Sequence, residues 1–237
     1  HMSQDPLLIE QFHSGTDIHS QVGHALTGWP VQKILKNKVV RRLVKNMHFG
    51  IIYGLGKHNL YAYVRAKGVK DVSQRTVMKY YDRYFETYKG VKRYVDSVRV
   101  KAEKDGFVKT LFGFVRHLGK WDTDRSTFWG NQAVNSPIQG TAHEILLIAL
   151  ARSWRCKKQY NLLQEPVIEG HDAITFFVRL QDLPQAYQQG VELLEKGVCK
   201  EIQNLFGITL SVPLKVEAEA GFRLGTMAKY EGGPLEE

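Results

Sequence analysis

The sequence predicts an α+β fold, with a mostly helical part over 1–134 followed by part of an antiparallel sheet with helices over 135–237. Three observations carry this expectation. Helix-length segments bounded by glycine or a cap residue fill the first part, whereas β-rich runs around short turns are concentrated in the second. The charge divides at the same place: residues 1–134 hold 23 Lys and Arg against 11 Asp and Glu, and residues 135–237 hold 10 against 13. Two compact units meeting near residue 134 are therefore expected.

In chain order, Asp5 to Gly28 reads as a short helix-and-turn lead-in with Leu7, Leu8, Ile9 and Phe12 as an apolar face. Lys33 to Tyr53 is the strongest helical segment, stopped by Gly54-Leu55-Gly56. Asp71-Val72-Ser73-Gln74 signals a helix start, with the helix running to about Tyr88 and interrupted at Gly90. Lys92 to Asp105 is a further helix closed by Gly106, and Phe107 to Leu118, with Gly113 at its middle, is a hairpin. Asn135 to Gln159 is expected as one long helix entered through Pro137. Val167 to Glu169 and Ile174 to Val178 make a second hairpin around Gly170-His171-Asp172-Ala173. Leu183 to Phe206 is helical, and Leu210 to Ala220 alternates as a strand.

The 237 residues are 43% hydrophobic and 24% charged, which excludes disorder as the main state. The longest apolar run, Ile145 to Ala151, falls far short of the ~18 residues of a bilayer helix, so no membrane association is expected. Residues 1–5 do not open a signal peptide, and two cysteines, Cys156 and Cys199, cannot build a disulfide scaffold, so a reducing cytoplasm is the expected location. A histidine-based metalloenzyme is not supported, because no His-x₃-His pair comes with a carboxylate at ligand spacing. The net charge of +9, gathered in the first part, suits a polyanionic partner such as nucleic acid.

Arg41, Lys45, Phe49 and Tyr53 are spaced by four, so on a helix they line one slowly spiralling face: two cations, then two rings. Such a face can hold phosphates at one end and stack a base or sugar at the other. Gly50 and Gly54 let another backbone or a base come close, and Lys33, Lys36, Lys38 and Arg42 strengthen the positive field. The bland alternative is a solvated basic face with two core aromatics.

The string Arg41-Arg42-Leu43-Val44-Lys45-Asn46-Met47-His48-Phe49-Gly50-Ile51-Ile52-Tyr53-Gly54 resembles the nucleotide-binding helix of the fingers in family A (Pol I-like) DNA polymerases. Asn135-Ser136-Pro137-Ile138-Gln139-Gly140-Thr141-Ala142 is similar to that family's Asn-x-Pro-x-Gln-Gly-Thr-Ala segment, and His171-Asp172 to its His-Asp-Glu hairpin. Weaker similarity covers Phe107 to Gly113 with Arg116, and the segment Pro213 to Ala220. The resemblance runs from about Ser3 to Lys229. It implies fingers over 1–134 and the carboxy-terminal part of the palm over 135–237.

The resemblance further implies transfer of a nucleotidyl group from a dNTP to a primer 3′-OH with two Mg²⁺ ions. By position, Arg41 and Lys45 would hold the triphosphate, Lys45 would protonate the departing pyrophosphate, Phe49 would pack on the sugar and Tyr53 at the insertion site. Asn135, Gln139, His171 and Arg116 would contact primer-template DNA, and Asp172 would ligate the metals. The family's other aspartate, the first half of the palm and the thumb have no counterpart in this sequence. An artificial fragment with His1-Met2 as a cloning remnant would explain this. So would a naturally split polymerase, of the short, divergent kind found in phages, whose complementary amino-terminal chain supplies the missing aspartate and thumb; the split is the favoured expectation. Ala173 replaces the family's usual Glu, and Asn131 stands where many relatives place an Arg. A catalytically inactive DNA-binding or accessory fragment derived from a polymerase is the competing reading.

Overall fold

The computed structural model describes residues 1–119 and 126–233, the side chains of 126–128 excepted. Contacts divide the chain into His1–Gly140 and Thr141–Glu237. Helices dominate and the sheets are small and antiparallel, in keeping with the expected α+β class.

In the first unit, Asp5 caps α1 (Pro6–His13) by accepting from the Leu8 amide at 3.0 Å. Its other oxygen accepts from the Gly90 amide at 2.6 Å, which ties α1 to the start of a helix eighty-five residues on. The lead-in thus contains two helices, because Asp17 caps α2 (Ile18–Thr27) in the same way. The helix expected over 33–53 is broken. Asn37 adopts an extended conformation, closes α3 (Val31–Lys36) and caps α4 (Lys38–Ile52) through a 3.0 Å bond from the Val40 amide. A short amide side chain that competes with the helix backbone makes such a break cheap.

α5 (Lys57–Ala66) follows Gly54-Leu55-Gly56 and has no counterpart among the sequence expectations. Its Leu60 packs where a Cβ on Gly50 would stand, 2.5 Å from Leu60 Cδ1, so the close approach at Gly50 is made by the chain itself. Ser73 caps α6 (Gln74–Thr87) as expected. The interruption before α7 (Lys89–Asp105) falls at Tyr88 rather than Gly90, which lies inside α7. Tyr88 is held there by its own burial and by donating to Gln11 Oε1 at 2.9 Å. Gly106, at φ +73°, ends α7, and β1 (Phe107–Lys109) pairs antiparallel with β2 (Val115–His117), Val108 opposite Arg116.

α8 (Ser126–Arg155) begins earlier than expected and carries Pro137 in its interior rather than at its entrance. Beside the carbonyl that the proline leaves without its amide partner, the Ser136 hydroxyl donates to the Gln132 carbonyl at 2.6 Å, and Arg116 donates to Ser136 at 2.8 Å. The core of this unit joins α2, α4, α5 and α6 through Leu26, Val44, Met47, Ile51, Leu60, Val77 and Tyr84, all at most 1% exposed, and α7 joins it through Val91 and Val95.

In the second unit, β3 (Pro166–Gly170) pairs antiparallel with β4 (Ala173–Phe176), Gly170 opposite Ala173, with an irregularity at Val167. The stretch 183–206 is helical throughout: α9 (Leu183–Val191), a π-helical turn over Glu192–Gly197, and α10 (Val198–Phe206). Glu201 on α10 accepts from Arg152 at 3.0 Å and from Arg155. The strand expected over 210–220 is confined to β5 (Ala218–Ala220), paired with β6 (Ala228–Tyr230). Upstream, the Val216 amide donates to the Glu195 carboxylate at 3.1 Å, so a side chain takes the bond a neighbouring strand would have made.

Candidate active site

The helix α4 presents the expected face. Its inner side chains Leu43, Val44, Met47 and Ile51 are buried, which turns Arg41, Lys45, Phe49 and Tyr53 outward. Phe49 and Tyr53 are half-buried and stacked, 6.0 Å between centroids with 23° between planes. The Lys45 ammonium lies 5.9 Å from the Phe49 centroid. Gly54, at φ +79°, turns the chain away after Tyr53, and a Cβ there would meet Asn131 Cα and Val134 Cβ, both at 3.1 Å.

Two residues missed by sequence reasoning complete this face. Asp17 holds Arg41 in a two-point ion pair: Nη2 donates to Oδ1 at 2.6 Å and Nε to Oδ2 at 3.2 Å. Burial raises the Asp17 pKa, but hydrogen bonds from Arg41 and Ser20 and the charge of Arg41 outweigh it, leaving the group at about 2. Asp17 therefore stays ionised near neutral pH. His19, two residues on, sets its ring 5.4 Å from Phe49 and 5.7 Å from His48. Burial lowers its pKa, with Lys45 and Arg41 adding to that and Asp17 opposing, so the ring is neutral at pH 7. His48, 4% exposed, is driven down to about 3 by burial and then by His19, and packs 5.7 Å from Tyr84. The only sequence signal for this pair was a cap residue followed two positions later by a histidine, in a segment that carried no other mark.

On α8, Asn135 and Gln139 are half-buried and lie one turn apart. The Asn135 Oδ1 is buried and accepts no hydrogen bond among the described residues. Arg116, on β2, is exposed but directed onto α8, donating to Ser136 at 2.8 Å and Gln132 at 3.4 Å. The first unit thus brings together Arg41, Lys45 and Phe49 on α4 with Tyr53 as its C-cap, and Arg116 with the α8 turn that carries Asn135.

In the second unit, His171 and Asp172 form the two-residue tip of the β3–β4 hairpin, both exposed. His171 sits at φ +52°, a left-handed conformation uncommon for a side chain of its size. Among the described residues no group of three or more His, Cys, Asp or Glu side chains assembles as a metal cage.

With this geometry in view, comparison with known proteins is decisive. The model of DNA polymerase family A matches residues 1–226. The chain belongs to DNA polymerase family A. Within that family it is 30% identical over 224 residues to DNA polymerase I of Caldicellulosiruptor bescii, covering 93% of this chain and 24% of that protein. It is also 30% identical over 231 residues to DNA polymerase I of Mycobacterium leprae, covering 96% and 23%. Among solved structures, the polymerase domain of Pol1 from M. smegmatis, in complex with DNA primer-template and dNTP, superposes with a TM-score of 0.75 at 27% identity, covering 91% of this chain and 35% of that one. This family A chain therefore spans about a quarter of the length of those two relatives. No helix among its described residues is long and apolar enough to cross a membrane.

Proposed function

We propose that this chain forms the fingers, over 1–134, and the carboxy-terminal part of the palm, over 135–237, of a family A polymerase that extends a DNA primer on a template. The observation that carries the proposal is the α4 face, where two cations precede two stacked rings and one cation is held by a carboxylate that a stronger polyanion can displace. In this reading the dNTP triphosphate takes Arg41 from Asp17. Because Asp17 remains ionised near neutral pH, the exchange is driven by the greater charge of the triphosphate and not by protonation. Lys45 binds the same phosphates, Phe49 packs on the sugar, and Tyr53 closes the insertion site. A primer 3′-oxygen attacks the α-phosphorus and loses its proton while the bond to pyrophosphate breaks, with Lys45 donating a proton to the leaving oxygen. Asn135, Gln139, Arg116 and His171 contact the primer-template; the M. smegmatis relative bound to primer-template and dNTP supports this assignment.

Two Mg²⁺ ions would stabilise the attacking and leaving oxygens of such a transfer. Asp172 fits as one ligand, but Ala173 brings none and the chain's described donors do not complete a two-metal site. In this reading amino-terminal polymerase sequence, supplied as a complementary chain, carries the second aspartate and the thumb. Primer extension by the mixed chains tests it. Wild type with its complement extends a primer, Lys45→Ala lowers the rate about 10²–10³-fold, and Asp172→Ala lowers it at least as much. Extension by this chain alone would refute the split, and equal rates for wild type and both variants would leave the inactive accessory fragment as the correct reading.

A further inference from the structure

Arg99, half-buried on α7, reaches away from its own helix: its Nη2 donates to the Gly54 carbonyl at 2.7 Å, forty-five residues back along the chain. The choice of partner is informative. Arg99 lines a cleft between α6 and α7 together with the carboxylates of Glu86 and Asp96, yet among the described residues it pairs with neither, and Asp96 is matched by Lys92 at 2.6 Å. The Arg99 Nε is buried and donates to nothing among the described residues. The side chain thus bears the cost of an unpaired donor while it reaches one backbone oxygen.

That oxygen belongs to the turn that ends α4. The Gly54 amide donates to the Ile51 carbonyl and the Leu55 amide to the Gly50 carbonyl, both at 2.9 Å, around the left-handed glycine. This pair of bonds closes the helix at Tyr53, its C-cap. The last turn of α4 holds no basic residue of its own, so Arg99 supplies from α7 the positive charge that a helix C-terminus favours. With the same glycine seated against Asn131 and Val134, the turn is held from α7 and from α8 at once. The residue just before it is Tyr53, whose ring stacks on Phe49. We propose that Arg99 is a positioning residue for Tyr53: by holding the Gly54 carbonyl it fixes the end of α4, and with it the ring against which an incoming base pair is tested. The role at the insertion site rests on the proposed DNA synthesis; the clamp on the turn does not.

The test compares variants of the whole 237-residue chain with wild type, first by amide hydrogen exchange and then by single-nucleotide primer extension in mixture with the proposed amino-terminal complement. Arg99→Met keeps an apolar stem and loses the donor, Arg99→Lys keeps a charged donor, and Val77→Ala weakens the core at α6 without touching the turn. In Arg99→Met the Gly54 and Leu55 amides are expected to exchange about tenfold faster, the loss of one hydrogen bond from a charged donor. In Arg99→Lys and Val77→Ala they are expected to stay near the wild-type rate. In extension, the ratio of kcat/KM for the correct over a mismatched dNTP is expected to fall about tenfold in Arg99→Met. The KM for the correct dNTP should stay within about twofold, because Arg41 and Lys45 are untouched. Arg99→Lys should recover the ratio and Val77→Ala should leave it unchanged. Unchanged exchange at Gly54 and Leu55 in Arg99→Met would overturn the clamp. Faster exchange with an unchanged ratio, or an equal fall in Val77→Ala, would overturn the positioning role and leave the polymerase reading standing. No extension by the wild-type pair would instead refute the split polymerase and the insertion-site role with it, while exchange still decides the clamp.

Discussion

In His1–Gly140 fifteen buried side chains, from Val22 to Val134, form one contiguous cluster drawn from six helices and the links between them, whereas the buried apolar side chains of Thr141–Glu237 are scattered, with Leu193, Val198 and Ile202 gathered on one helical stretch. In that second unit Trp154, Phe177, Phe222 and Leu224 remain more than half exposed. A helical region can close a core from local segments, because each helix satisfies its own backbone and needs only one covered stripe. A two-stranded hairpin cannot; it is marginal until further strands or a helix cover it. The difference teaches that the α4 face stands on a self-sufficient scaffold, while the Asp172 hairpin stands on one with apolar surface left to cover.

The sharpest way to break this comparison is to cut into the first core. Leu60→Ala removes the side chain that fills the approach at Gly50, and it is expected to cost about 3 kcal/mol or more in urea unfolding. A loss below about 1 kcal/mol would mean that the helical unit is not one cooperative core. Hydrogen exchange sharpens it next. Amides of Val44, Met47 and Ile51 on α4 are expected to exchange at least about a hundredfold more slowly than those of Ile168 and Ile174 in the hairpin. Equal protection would erase the contrast.

A smaller effect is expected at the Arg41–Asp17 pair. The Asp17 pKa falls from 3.8 to about 2 on folding, so its contribution is complete above the unfolded value and is lost as the pH drops through the folded one. Asp17→Asn keeps a capping side chain but loses the charge. It is expected to destabilise by about 1 kcal/mol at neutral pH, given partial exposure to solvent. That difference should shrink as the pH falls from 3.8 through about 2 and vanish below it; a difference that persists in stronger acid would assign it to the cap and not to the ion pair. The smallest effect belongs to the exposed aromatic of the second unit: Phe177→Ser should change the stability of the isolated chain by no more than about 0.5 kcal/mol. The same substitution should weaken capture by the proposed complementary chain, read by size-exclusion of the mixture.

What was legible in the sequence had a local cause. Ser73 and Gly106 marked helix ends because a cap side chain and a left-handed glycine act within one turn. The hairpins at 107–118 and 166–176 were legible from alternation around tight turns. The Arg41 to Tyr53 face followed from periodicity alone, since four-residue steps keep side chains on one side of any helix. Illegible were the features that distant contacts decide. Tyr88 breaks the chain through a hydrogen bond to Gln11, seventy-seven residues away. Pro137 sits inside α8, with Ser136 and Arg116 bonded beside it. The run 210–217 forms no strand, and the Val216 amide turns to Glu195. α5 was missed because its mixture of tyrosines and basic residues carries a weak apolar stripe.

By itself the sequence determined the secondary-structure class, the face of α4, the hairpin that carries Asp172 and the membership in family A, because periodicity, turn chemistry and motif spacing are properties of neighbouring residues. Tertiary structure alone decided that Asp17 holds Arg41, that His19 leans on Phe49 as a neutral ring, that Gly50 is filled by Leu60, and that one unit gathers its buried side chains into one large core while those of the other are scattered. Those outcomes depend on burial and on charge brought together across tens of residues. Neither can be read from positions along the chain until the fold has set which groups share a dry or a charged neighbourhood.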